Sequence, residues 1–406
     1  MATPSDLTPD LTPDLNALMA LIPEVSTALE SGSELSAITA LRAQGHDPEV
    51  VRAAVEQVVL RRHLNQHWPI GWVLTRDGVE QASHPLVADF HAEVVQEAGV
   101  TSIVDLTAGL GSDSAALSRH GIAVTAVERN PYTAELLAHN VGQGPGVPIT
   151  ILIGDSMELA PPSGAYFVDP ARRSGTRTAS GSRALPERDP ERWSPPLTWV
   201  LDLATQALVF MKAAPALDPP PGWARYYISL DRTLVETFTT NAHSGTFAVM
   251  ISTRHGTTRV MTDLSAASAA STAASAASSS PAVHVVQDYL YELDPAMTRA
   301  GLVAQVARDL GAEVIGHGGI WLTGNQPCSE EYQRSYRVHA VFPPKEIAQH
   351  VAHLPGVAIK NKDSHRDLAA LRKDSQKPDH NEWAVVVTTV NNVDQAILVQ
   401  RVVETA

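Results

Sequence analysis

The stretch Ile103-Val104-Asp105-Leu106-Thr107-Ala108-Gly109-Leu110-Gly111-Ser112-Asp113 decides the fold. A short apolar run ends in an acid, two glycines flank one residue, and an alanine-rich helical pattern follows. It reads as a buried strand, a tight glycine turn and a helix N-terminus. Glycine lets the backbone approach a ligand closely. A helix start offers N–H groups without intrahelical partners and the positive end of a dipole. Which ligand it serves is a separate question.

Outward from this stretch, residues 85–263 alternate strands and helices as a parallel sheet requires. The expected strands are Ser102–Leu106, Ala123–Glu128, Thr150–Gly154, Ala165–Asp169, Leu208–Ala213, Tyr226–Leu230 and Thr246–Thr253. The fold class is therefore α/β, with a doubly wound, Rossmann-like sheet. Residues 1–15 repeat Leu-Thr-Pro-Asp and read as a flexible tail. Residues 16–84 form a helical N-terminal region. There, Asp47-Pro48-Glu49 supplies a cap, a first-turn proline and a dipole-compatible acid. Val51, Val55 and Val58 follow at helical spacing, and Gly45 is placed to stop the preceding helix.

Residues 264–281 are almost wholly Ser and Ala, without an apolar face to bury, and read as a linker or long surface loop. Residues 282–406 then form a separate α+β domain. Asp294-Pro295 opens a helix carrying Leu302, Val306 and Leu310 on one face and closed by Gly311. Strands are expected at Gly319–Leu322, Tyr336–Phe342, Trp383–Val390 and Gln395–Val402.

The 406 residues suffice for two or three domains, and 44% hydrophobic with 18% charged residues is ordinary for a globular chain. A formal charge of −14 argues against a surface that coats nucleic acid indiscriminately, while leaving room for a local basic cleft. The single cysteine, Cys328, excludes an internal disulfide framework and a cysteine-rich metal site. The histidines show no H-E-x-x-H spacing, so no metal is expected. No window is apolar for long enough to span a bilayer, and residues 1–14 lack the features of a signal peptide. A cytoplasmic protein is the simplest expectation.

Two cofactor classes use a strand, glycine turn and helix. Dinucleotide binders show G-x-G-x-x-G, but Ser114 stands at the third glycine position here. S-adenosylmethionine carries no phosphates. Its carboxylate can rest on a helix N-terminus, its ribose hydroxyls call for a carboxylate after the second strand, and its adenine calls for an acceptor after the third. Asp105, Glu128 and Asp155 stand in that order, each at the C-terminal end of an expected strand, where open α/β sheets bind ligands.

Asp105-Leu106-Thr107-Ala108-Gly109-Leu110-Gly111-Ser112-Asp113, followed by Val127-Glu128-Arg129-Asn130-Pro131, resembles the motifs of class I S-adenosylmethionine-dependent methyltransferases. It is especially similar to the D-x-T-A-G-x-G-x-D … E-R-N-P form of ribosomal-RNA guanine-N2 methyltransferases. Leu74-Thr75-Arg76-Asp77-Gly78-Val79-Glu80-Gln81-Ala82-Ser83 and the layout after residue 281 resemble bacterial methyltransferases with a C-terminal THUMP-like domain. The resemblance implies S-adenosyl-L-methionine as cofactor, held by Asp105, Thr107, Ala108, Gly109, Gly111, Glu128, Arg129, Asp155 and Ser156. It also implies RNA binding by the last domain, and it puts Thr75, Glu80 and Gln81 near the cofactor mouth, where a helix cap and surface helix explain them equally well.

The fourth strand ends in Tyr166-Phe167-Val168-Asp169-Pro170-Ala171-Arg172-Arg173. Methyltransferases acting on amino nitrogens resemble this with an Asp/Asn-Pro-Pro-aromatic motif. A nucleobase amine is a poor nucleophile, and a carboxylate with a proline-exposed carbonyl can accept its N–H bonds, orienting the nitrogen and stabilising developing charge. Asp169 and Pro170 suit that catalytic role. Ala171 and Arg172 replace the second proline and the aromatic, which leaves stacking on this motif, and so the atom methylated, open. Arg172, Arg173, Arg177 and Arg183 form a run without an acid, suited to holding substrate phosphates. A second basic stretch, Lys360, Lys362, Arg366, Arg372, Lys373 and Lys377, is interleaved with acids. The expected function is methylation of a base nitrogen of tRNA or rRNA. A small-molecule or protein acceptor, and a non-catalytic RNA-binding factor retaining the cofactor fold, are the alternatives, with a nicotinamide oxidoreductase behind them.

Overall fold

The computed structural model describes residues 13–64, 67–142, 144–171, 187–214, 217, 220–262, 285–316, 321–328, 333–354, 356–361 and 383–402. The Ser/Ala-rich segment, most of the N-terminal tail, and Arg172, Arg173, Arg177 and Arg183 lie outside the described residues. The chain packs as two compact units, residues 1–213 with 240–242, and residues 214–239 with 243–406.

The first unit begins with α1 (Leu15–Ser31), α2 (Glu34–Ala43) and α3 (Pro48–His63). Asp47 caps α3 as expected, accepting from the Glu49 and Val50 N–H groups at 2.8 and 3.1 Å. Leu18, Leu21, Val25 and Leu29 of α1 and Val51, Val55 and Val58 of α3 share one apolar cluster with Trp68, Trp72 and Leu110. The helical lead-in is thus built onto the glycine turn itself. Then come α4 (Arg76–Gln81), α5 (Pro85–Glu97), β1 (Ser102–Asp105), α6 (Ser112–Arg119), β2 (Ala123–Glu128) and α7 (Pro131–Val141). The unit continues through β3 (Ile149–Ile153), α8 (Ser156–Leu159), β4 (Ala165–Val168), α9 (Leu197–Leu203) and β5 (Leu208–Ala213). These strands run in the order β3-β2-β1-β4-β5, every neighbour parallel. The near-continuous apolar content of β1, β4 and β5 follows from burial on both faces, whereas β3 at the edge is half-buried or exposed throughout. The order reverses between β1 and β4, and that switch point opens a crevice at the strand C-termini. The Rossmann-like sheet expected from the sequence is present.

The second unit holds β6 (Ala224–Leu230), β7 (Thr233–Thr240), β8 (Gly245–Ser252) and β9 (Thr257–Thr262), with β6 parallel to β8 and β9 antiparallel to it. Strict helix–strand alternation up to residue 263 is therefore corrected. β6 and β7 are neighbours joined through Asp231 (φ 46°) and Arg232 (φ 67°), a two-residue turn with both central residues left-handed. No glycine marks it, so β7 escaped the sequence reading, and β9 escaped for want of an apolar face.

A separate sheet follows, in the order β11-β12-β10-β13-β16-β15-β14. Its members are β10 (Tyr289–Glu292), β11 (Glu313–Ile315), β12 (Trp321–Gly324), β13 (Arg334–Phe342), β14 (Ala358–Asn361), β15 (Trp383–Val390) and β16 (Val393–Arg401). The expected C-terminal α+β domain is present. The single helix expected from Asp294 to Gly311 is two, α10 (Pro295–Arg299) and α11 (Val303–Leu310), because Gly301 at φ 74° breaks it. A short helix, α12 (Ile347–Val351), precedes β14.

Candidate active site

The glycine turn joins β1 to α6. Gly109 and Gly111 take φ values of 54° and 92°, which side chains bearing a Cβ rarely adopt. A Cβ at Gly109 would meet no heavy atom within 4 Å, so this side of the turn faces open space. A Cβ at Gly111 would come within 2.5 Å of Leu137 on α7. One glycine therefore keeps the backbone open towards a ligand, and the other lets two helices approach. Ala108 is buried in the turn, and α6 begins without a side-chain cap on its first N–H groups.

Asp105 sits beneath the turn with 1% of its surface exposed. It accepts from the Thr107 N–H at 3.2 Å and from the Ser114 hydroxyl at 2.5 Å. Burial pushes its carboxyl up to about 7, against the opposing pull of those bonds and of Lys212. In this position it clasps the loop. Ser114, which breaks the dinucleotide glycine pattern, is the residue that makes the clasp.

Glu128 stands half-buried at the end of β2. Its Oε2 accepts from the Gly109 N–H at 3.0 Å and its Oε1 from the Asn130 N–H at 2.8 Å. Arg129 beside it is exposed and reaches Ser194 Oγ at 3.5 Å. Asp155 ends β3 and caps α8, accepting from the Met157 N–H at 2.8 Å, with Ser156 next to it and half-buried.

Asp169 follows β4. Its N–H donates to Thr107 Oγ1 at 2.7 Å, tying the reacting end to the glycine turn, and Pro170 is buried behind it. Lys212, at the end of β5, donates to Asp169 Oδ2 at 2.6 Å and lies 3.7 Å from Asp113 Oδ2. Asp113 in turn accepts from the Ser83 hydroxyl at 2.7 Å and sits 2.8 Å from His91 Nδ1 on α5. Burial alone would raise the Asp113 carboxyl, but Lys212, His91 and Ser83 outweigh it and hold it down to about 2.

Lys212, His91 and Ser83 escaped the sequence reading, and Asp113 was noted only as part of the motif. One signal was available for Lys212, a lysine inside the apolar run Leu208-Val209-Phe210-Met211-Lys212-Ala213. Asn140 was also missed. Fully buried on α7, it accepts from the Val73 N–H and donates to the Val73 and Leu110 carbonyls, which locks the N-terminal region onto the turn.

Thr75 caps α4, accepting from the Gly78 N–H, while Glu80 and Gln81 are exposed. In the second unit, Lys360 turns inward onto Glu292 and Tyr336 at 2.6 and 2.7 Å, while the other basic residues of its stretch lie outside the described residues. Among the described residues, no group of three or more His, Cys, Asp or Glu is placed to hold a metal, and no helix is long and apolar enough to cross a membrane.

The residues at the switch point fit S-adenosylmethionine. The uncapped α6 N-terminus suits a carboxylate, the open face of Gly109 admits a ligand against the backbone, and the acceptors Glu128 and Asp155 stand at adjacent strand ends. Residues 78–158 match the model of the family described as "Putative SAM-dependent methyltransferase", and residues 11–63 match a domain of unknown function. No curated protein matches. Among solved structures, the "putative methyltransferase from Porphyromonas gingivalis W83" is similar at 20% identity and a TM-score of 0.71, over 97% of this chain and 100% of that one. A "putative RNA methyltransferase" from Pyrococcus horikoshii is similar at 17% identity over 39% of this chain and 73% of that one, with a TM-score of 0.27. An O-methyltransferase from Bacillus cereus in complex with SAH is similar at 11% identity over 50% and 68%, with a TM-score of 0.24. The chain carries an S-adenosylmethionine-dependent methyltransferase domain, and S-adenosyl-L-methionine is its cofactor.

Proposed function

We propose that the protein methylates a base nitrogen of RNA by direct displacement, with Asp169 orienting the nitrogen. The observation that carries this reading is the position of Asp169. Its carboxylate ends β4 at the sheet's switch point, partly open to solvent and joined to the glycine turn through Thr107. Bound S-adenosyl-L-methionine supplies the methyl group: the nitrogen forms the new N–C bond as the C–S bond breaks, the bonding pair stays on sulfur, and the surplus proton leaves nitrogen for water. Asp169 accepts an acceptor N–H, which aims the lone pair and stabilises the charge that grows on nitrogen. The backbone after Asp169, at Pro170, accepts a second.

Glu128 and Asp155 hold ribose and adenine, Asp105 with Thr107 and Ala108 keeps the turn in shape, and Arg129 and Ser156 flank the cofactor. Arg172, Arg173 and Arg177 follow Asp169 in sequence and are proposed to hold substrate phosphates. The C-terminal α+β domain is proposed to be THUMP-like and to bind RNA. Domain limits near 16–84, 85–263 and 282–406 and a cytoplasmic location go with this reading.

Incubation with radiolabelled cofactor and total RNA, followed by digestion to nucleosides and mass spectrometry, tests it. Label in a methylated base supports the proposal. Label only in protein or small-molecule fractions overturns the RNA assignment.

A further inference from the structure

Lys212 is a costly residue for its place. Its side chain is 7% exposed on the inner strand β5, where an aliphatic residue would pack without desolvating an ammonium. In the β4–β5 register Val168 stands opposite Met211, so Lys212 is level with Asp169. The ammonium lies between two carboxylates, 2.6 Å from Asp169 and 3.7 Å from Asp113. The charged or titratable groups around the pair come from each neighbouring element: Asp169 after β4, Asp113 from α6, Asp105 from β1, and His91 from α5 behind Asp113. The pair has a closed end and an open one, since Asp169 is 27% exposed and Lys212 nearly covered.

From this geometry we infer that Lys212 is a positioning residue for methyl transfer, fixing the charge and direction of the Asp169 carboxylate while Asp113 and His91 anchor Lys212 from behind. The inference rests on the reading of Asp169 given above. A carboxylate tied to a buried ammonium stays an anion and accepts hydrogen bonds. It is a weak base, so its work is to aim and stabilise rather than to carry the proton away. The His91–Asp113–Lys212 chain reaches from the core to the crevice and fixes the rotamer from which Asp169 faces the acceptor.

The test compares the full-length protein with Lys212→Met, Lys212→Gln and Lys212→Arg. In protein labelled with carboxyl-¹³C aspartate, the Asp169 resonance is assigned by its loss in Asp169→Asn and titrated without cofactor or acceptor. Loss of the ammonium is expected to raise the Asp169 midpoint by at least about one pH unit, and Lys212→Arg to restore most of it. With the acceptor RNA, kcat is expected to fall at least about tenfold in Lys212→Met, and the acid limb of its pH profile to move up, while affinity for S-adenosylhomocysteine changes less than about threefold. Lys212→Gln, which keeps a polar head without charge, carries the same test if the methionine variant does not fold. An unmoved Asp169 midpoint, or a pH profile parallel to wild type, overturns the inference. The titration needs no acceptor, so it stands if the acceptor is not RNA. Full activity in Asp169→Asn would instead remove the reading of Asp169 itself.

Discussion

The Gly109 N–H donates to Glu128 Oε2 across 3.0 Å, so the turn after β1 and the end of β2 form one rigid edge of the crevice. The same carboxylate caps the Asn130 N–H, and its orientation is set from two sides before any ligand arrives. A site held in this way loses little entropy when it binds.

Glu128→Ala is therefore expected to weaken cofactor binding roughly tenfold to a hundredfold, since it removes a charged acceptor and loosens the turn. Calorimetry with S-adenosylhomocysteine measures this. Unchanged affinity would remove Glu128 from the cofactor site.

The two glycines separate by experiment. Gly109→Ala adds a methyl to open space at φ 54°, at about 1–2 kcal/mol of backbone strain, and is expected to affect cofactor affinity more than packing. Gly111→Ala drives a Cβ to within 2.5 Å of Leu137 and 2.9 Å of Val141, so it is expected to lower the melting temperature more. Thermal denaturation of the two variants ranks them, and the reverse order contradicts the assignment.

Asn140→Leu leaves the buried Val73 N–H and the Leu110 carbonyl without the partner that now bridges them. A loss of about 2–3 kcal/mol is expected by urea denaturation. Cofactor affinity should fall with it, because Leu110 lies between the two glycines.

Two buried acids give opposite pH signatures. Asp113 sits at about 2 in the fold against an ordinary 3.8, so its contribution of about 2 kcal/mol is present above pH 4 and is lost as the pH falls towards 2. Asp105 is raised to about 7, so it costs nothing below pH 4 and weakens the fold as the pH rises from 4 to 7. The melting temperature of Asp105→Asn relative to wild type is expected to rise between pH 5 and pH 8. That of Asp113→Asn is expected to approach wild type as the pH falls from 4 to 2.

The sheet of the first unit was legible because four of its five strands lead into an acid: Asp105, Glu128, Asp155 and Asp169 all stand where apolar runs stop. The caps at Asp47 and Thr75 were legible for the same local reason. What was not legible is contact across long separations. Lys212 meets Asp169 43 residues away and His91 meets Asp113 22 residues away, and no local pattern sets either distance. The β6–β7 turn escaped because Asp231-Arg232 adopts left-handed backbone without glycine. In the second unit, Gly301 lies inside a pattern of helical period, so periodicity alone joined two helices into one.

In the proposed reaction Asp169 orients the methyl acceptor and does not hold the cofactor. Methyl transfer from labelled S-adenosyl-L-methionine to total RNA, by wild type and Asp169→Ala at saturating cofactor, with affinity for S-adenosylhomocysteine measured on the same preparations, tests it most directly. The variant is expected to bind within about threefold of wild type and to transfer at least about a hundredfold more slowly. Transfer at the wild-type rate by a variant that binds normally would contradict it.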